Sequence, residues 1–359
     1  MGVARRLQQG IAILAAGFLG AGAARALTFE FSFLPGTSAQ AQSAFRAAGD
    51  LWSSVLADPV AVQLTVGMGA LGSGALGQTL TGLTESSYAS VRSAMVADRS
   101  SANDDLAVGA LPGGSAFAML INHTAQNGDS ATPYLDANGS ANNTTLRLST
   151  ANAKSLGLPV LLDTLGGRCL AVCDGYIELS TAHAWDYDRS NGIGAGQFDF
   201  VGIAAHEIGH ALGFLSGVDV LDSNTGFDED LYALVSPLDL FRYSSASAAL
   251  GAIDFTASTT AKYLSLTGAT SGSLLFATGA IFGDGRQASH WKDNLGLGLM
   301  DPTAASGQLL AIGINDQLAF DVIGWDLVSA VPEPGRPTLL AMGLAVLGIG
   351  WLRGRRRGR

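Results

Sequence analysis

Apolar and polar residues alternate over Leu27-Thr28-Phe29-Glu30-Phe31-Ser32-Phe33, the mark of a strand with one buried face. Pro35-Gly36 then turns the chain. From Ala39 to Ala57 the spacing becomes helical, with Ala44, Phe45, Ala48, Leu51, Trp52 and Val55 on one side. Val60 to Val66 reads as a second strand, residues 67–82 as Gly-rich and irregular, and Ser86 to Ala97 as a helix. Ala116 to Ile121 is a buried-type strand, Asn122 to Asn143 a polar loop, and Tyr176 to Ser180 another strand. Phe200 to Phe214, FVGIAAHEIGHALGF, breaks this pattern: up to Leu212 every residue but His206, Glu207 and His210 is apolar or glycine. A helix apolar all round is a buried helix. Asp199 can cap its start, and Gly213 permits the left-handed turn that stops it. Beyond it come an acidic polar loop (Asp219 to Asp230), an ordered segment (Ser236 to Tyr243), a Gly/Ser/Thr-rich strand region to Gly285, and a closing helix and turn from Ile314 to Trp325.

Three ionisable side chains in a buried helix cost several kcal/mol unless paired or coordinated. His206-Glu207-Ile208-Gly209-His210 fits the H-E-x-x-H zinc pattern. On a helix, residues four apart share a face, so both imidazoles can reach one ion, and Glu207 can lean toward a water held there and act as general base. A chance match on a core helix is the bland alternative. A catalytic site needs a third protein ligand. The extended pattern H-E-x-x-H-x-x-G-x-x-H would place it at position 216, which is Ser216. Two candidates remain. His290 lies in Gln287-Ala288-Ser289-His290-Trp291, and Asp219 follows the helix closely; an ordinary surface histidine is the alternative reading of His290.

Gly298-Leu299-Met300-Asp301-Pro302 resembles the Met-turn of metzincins, although a core methionine is the commoner use of that residue. The order HEIGHALGF, a long insert, a late His and Met-x-Pro resembles leishmanolysin-type metzincins, whose third histidine is displaced far downstream. The resemblance covers motifs between His206 and Pro302, not the whole chain. It implies an α+β metzincin-like zincin: a twisted mixed sheet with the active-site helix (27–213) and a smaller irregular C-terminal subdomain (214–330). It implies Zn2+ held by His206, His210 and His290, Glu207 as the catalytic base, Met300 beneath the site, and a protein or peptide substrate. Metzincins pair substrate backbone with one edge strand, and Ala116 to Ile121 is the segment expected in that place. Little chain precedes this domain for a propeptide, which departs from the leishmanolysin pattern.

Composition narrows the remaining classes. The chain has 359 residues, 47 of them glycine, with 14% charged residues and a formal charge of −10. No basic face suited to nucleic acid is visible. Asp136, Asn138 and Gly139 hint at a calcium loop without its full spacing, and a solvated turn is the expected reading. Cys169 and Cys173 could close a small disulfide loop or stay free. Arg5-Arg6, the apolar run Gly10 to Ala24 and Ala24-Arg25-Ala26 make residues 1–26 a secretory signal peptide. Val331-Pro332-Glu333-Pro334, the apolar run Thr338 to Leu352 and the arginine cluster to Arg359 resemble the PEP-CTERM sorting signal of Gram-negative bacteria. That resemblance implies export, transient inner-membrane anchoring and removal of residues 331–359 by sorting machinery; a simple anchor is the alternative. The expected function is therefore a secreted zinc endopeptidase. The alternative is a non-catalytic matrix or adhesion protein with a structural zinc, which would show a fourth protein ligand, Asp219 being the candidate.

Overall fold

The alternating N-terminal segment forms strand β1 (Thr28–Phe33) and the helical segment forms α1 (Ala39–Ser53), capped by the Ser38 side chain. A computed structural model describes residues 27–270, 272 and 274–328. The elements continue as β2 (Ala61–Gly69), β3 (Gly77–Thr81), β4 (Leu83–Ser87), α2 (Tyr88–Asp98), α3 (Ala102–Ala110), β5 (Met119–Ile121) and β6 (Tyr134–Asp136). Next are α4 (Ala141–Thr144), β7 (Thr145–Ser149), α5 (Thr150–Ser155), β8 (Gly175–Ser180), β9 (Trp185–Asp186), β10 (Phe198–Asp199) and α6 (Phe200–Leu212). The C-terminal part holds α7 (Val218–Ser223), β11 (Arg242–Tyr243), α8 (Ser245–Ala249), β12 (Ile253–Asp254), β13 (Lys262–Leu264), β14 (Leu275–Phe276) and α9 (Ile314–Val322). The fold is mixed, with nine α-helices and several sheets among the described residues, as an α+β chain requires.

The main sheet runs β1-β2-β8-β3. β1, β2 and β8 are parallel, and β3 lies antiparallel on the edge. Parallel neighbours need a crossover, and α1 supplies it between β1 and β2. α1 packs on α6 through its apolar side. Phe45 meets Phe200 edge-on at 5.0 Å, and the Trp52 indole donates to the Ala205 carbonyl at 2.8 Å. α6 in turn packs on β3 and β8. The helix with the three ionisable side chains is thus enclosed on most sides and open only where β3 ends the sheet.

The C-terminal part is built differently. Its strands are two or three residues long, in sheets β11-β13-β14 and β12-β5-β6. Buried ion pairs take the place of long ladders: Arg242–Asp239 at 3.3 Å and Lys262–Asp254 at 2.8 Å. One continuous apolar core nevertheless runs from Leu27 to Trp325.

Several expectations shift. The segment Ala116 to Ile121 is not beside the cleft: β5 is fully buried and pairs with β12 and β6. The edge strand is β3, inside the stretch read as irregular. Glycines 77 and 82 hid it, because glycine weakens the strand signal. Helix α3 gave little apolar periodicity, yet a Ser101/Asp104 capping box starts it. Cys169 and Cys173 are disulfide-bonded. The Asp136 carboxylate is occupied by amide donors, from Asn142 at 2.7 Å and Asn143 at 3.4 Å, which fits a hydrogen-bonded turn rather than a calcium loop. The chain divides into two units at Leu327/Val328, and the signal-peptide and sorting-tail segments (1–26 and 331–359) lie outside the described residues. Among the described residues no helix is long and apolar enough to cross a membrane.

Candidate metal centre

Helix α6 begins on Asp199, whose carboxylate accepts from Gly202 N at 3.0 Å, and stops on Gly213 at φ 122°. His206 and His210 therefore stand one turn apart on the face that looks into an open cleft of about 650 Å³. His290 arrives on the loop before the Met300 turn and completes a triangle. The three Nε2 atoms lie 3.2 Å from one another.

The other ring nitrogens decide what this triangle is. Nδ1 of His206 donates to Leu299 O at 2.8 Å, Nδ1 of His210 to Phe214 O at 2.9 Å, and Nδ1 of His290 to Gln287 O at 3.3 Å. A carbonyl can only accept, so each ring carries its hydrogen on Nδ1 and turns a bare Nε2 lone pair inward. Burial lowers the pKa of all three rings, that of His210 to about 3, so protonation does not relieve the crowding. Three lone pairs at hydrogen-bond distance with no proton between them repel. A cation resolves the conflict. Nitrogens 3.2 Å apart sit about 1.8 Å from the centre of their triangle, so an ion roughly 2.0–2.1 Å from each fits, at angles near tetrahedral with a fourth position free. The donor set is compatible with a divalent metal; it does not by itself select zinc.

Among the described residues no fourth His, Cys, Asp or Glu joins this group. Asp219, the alternative third ligand, is not in it. Its carboxylate accepts from Ala288 N and Ser289 N, the latter at 3.1 Å, and from the Ser289 hydroxyl. These are the two residues before His290. Ser289 Oγ also accepts from Ser216 N at 2.9 Å, and Arg242 donates to Ala288 O. The acid holds the loop that presents the imidazole. Burial raises Asp219 to about 6 despite these donors.

Glu207 points from the same helix toward β3. Its Oε2 accepts from the Thr79 hydroxyl at 2.6 Å, and that hydroxyl also reaches Glu207 O at 3.0 Å. Gly77 is needed here, since a Cβ at that position would overlap Glu207 Oε1. Burial raises the Glu207 carboxyl from 4.5 to about 7, with the Thr79 hydroxyl acting in the opposite direction. Met300 is fully buried under α6. A Cβ on Gly209 would stand 2.5 Å from its sulfur and 3.2 Å from the Trp52 ring, so the glycine between the two histidines is where the methionine rests. Asp316 fixes the turn by accepting from Leu299 N at 2.7 Å, Met300 N at 3.2 Å and the Trp291 indole at 2.8 Å.

Sequence reasoning did not find Thr79, Gly77, Arg242 or Asp316. Asp316 alone had a local signal, as an acid in the first turn of α9. A second convergent group, Asp58, Asp98 and Asp326, stands apart from the histidines; burial raises Asp58 and Asp98 to about 7. No protein-family model, curated protein or solved structure matches the chain.

Proposed function

We propose that the chain is a zinc-dependent endopeptidase of metzincin type, exported by its N-terminal signal and sorted through its PEP-CTERM-like tail. The observation that carries the reading is the convergence of three bare Nε2 atoms beside a buried carboxylate, in a cleft walled by a free strand edge. His206, His210 and His290 would hold the ion, and their backbone-bonded Nδ1 atoms keep them in the ligating tautomer. A bound zinc supplies Lewis acidity and lowers the pKa of water toward about 7.

The remaining work falls to the chain. Among the described residues β3 pairs only with β8, so its outer edge is open to add an extended peptide. Glu207 then takes a proton at its carboxylate from the attacking water and delivers it to the leaving amine, while water oxygen bonds to the scissile carbonyl carbon and the C–N bond breaks. Thr79 orients Glu207 by occupying Oε2. The matrix-protein alternative requires a closed site with four protein ligands, and the tethering of Asp219 to Ala288 and Ser289 argues against it. The test is casein hydrolysis by the wild-type chain and by Glu207→Gln, with metal content measured on both. Stoichiometric zinc with no hydrolysis in the variant supports the reading; hydrolysis persisting in the metal-loaded variant overturns it.

A further inference from the structure

Two arginines line the cleft, and they differ. Arg286 is neutralised, with Nε 3.0 Å from Asp293 Oδ2. Arg147 is not. It sits on β7 opposite Glu85 of β4, the strand that continues β3 past Gly82, and so enters the cleft beyond the Thr81 end of the free edge. Its backbone N–H is used, by Val235 O at 2.9 Å. Its guanidinium donates no hydrogen bond to any described residue, and its Nε is buried without an acceptor. The nearest carboxylate, Glu85, stands 3.6 Å from NH2. That pair is longer than a hydrogen bond and open to solvent, with the two side chains 37% and 59% exposed, so it is weak and leaves the NH groups free to exchange partners. Leu83, Leu215 and Leu234 line the same cleft. A planar donor fork that lines the cleft, is open to solvent and has no hydrogen-bond acceptor of its own matches a carboxylate, which can bind it bidentately from the open side.

We infer that Arg147 is a specificity residue that binds a carboxylate of the peptide on the Thr81 side of the scissile bond, so that acidic peptides are the preferred substrates. The inference rests on the peptidase reading. The carboxylate can belong to an Asp or Glu side chain or to the peptide's own C-terminus.

The test uses short internally quenched peptides that carry Glu, Gln or Lys at one position at a time, each made with a free and an amidated C-terminus. The wild-type chain should cleave Glu peptides on the order of tenfold faster than Gln peptides at one fixed position. Arg147→Gln should flatten that ratio, and Arg147→Glu should turn it toward Lys. A preference that follows the free C-terminus instead assigns the bound group to the chain end. A flat wild-type ratio, or one that survives Arg147→Gln with circular dichroism unchanged, overturns the inference; Arg147→Lys, which keeps charge but loses the fork, serves should the glutamine variant not fold. Binding of fluorescein-labelled Glu and Gln peptides to Glu207→Gln, with and without Arg147→Gln, separates the two failures. A binding ratio lost with Arg147 but no cleavage by wild type sinks only the peptidase reading. Cleavage with no acidic preference sinks only this one.

Discussion

Two of the convergent imidazoles ride on a helix and the third rides on a loop, and the two halves are held by different forces. The helix half is apolar: α6 is fixed by Phe45, Trp52 and the sheet, and its geometry follows from backbone hydrogen bonds. The loop half is polar. His290 stands where Asp219, Ser216 and Arg242 hold the two residues before it, and where Asp316 holds the turn after it. A regular element positions side chains by period. An irregular one needs a hydrogen bond for nearly every residue it fixes.

That contrast can be broken experimentally. The largest effect tests the chemistry proposed for both halves: Glu207→Gln should lower kcat/KM by roughly 10²–10⁴-fold with metal retained. Next, Asp219→Asn should weaken metal affinity by about 10–100-fold although Asp219 belongs to no ligand set, as read by competition with a chromogenic chelator. Trp52→Phe, which breaks the brace on the helix half, should instead cost about 1–3 kcal/mol of stability in urea and leave metal affinity nearly unchanged, because it removes a buried hydrogen bond to the Ala205 carbonyl and thins the core packing without moving the loop. If Trp52→Phe alters affinity more than Asp219→Asn does, the division between the halves is wrong.

Gly209→Ala lies on the seam between them. Helix propensity favours alanine by about 1 kcal/mol, while crowding of a packed core costs about 1–3 kcal/mol. With the Met300 sulfur 2.5 Å from the new Cβ, crowding outweighs propensity, so the thermal midpoint should fall.

The smallest effect is a control in neither half. Asp58 and Asp98 have folded-state pKa values raised by burial to about 7. Below about pH 4 both are protonated whether the chain is folded or not. Between there and pH 7 the unfolded chain ionises first, so their contribution to stability is lost as pH rises. Asp98→Asn should therefore raise the melting temperature by on the order of 2 °C at pH 8 and hardly at all at pH 4.5, with metal affinity unmoved.

The same division explains what could be read from the chain. β1, α1, β2, β8 and α6 were legible because each carries its own period, and Asp199 and Gly213 marked the ends of α6. β3 was not, because it opens on Gly77, which serves close approach to Glu207 rather than strand propensity. Asp219 was noticed as an acid near the helix, but sequence distance could not separate a ligand from a tether. The expected edge strand at Ala116 to Ile121 failed for a related reason: a short apolar run signals burial without saying which sheet it joins.

By itself, then, the amino-acid order determined the buried helix, the one-turn spacing of His206 and His210 and the place of Glu207 beside them, since these depend on contacts within a few residues. Only the tertiary structure decided that His290 closes the triangle, that Asp219 braces it, and that β3 and Arg147 border the cleft. Those relations join positions as far apart as 69 to 128 residues, and they are set by which buried polar groups can find partners once the core has formed.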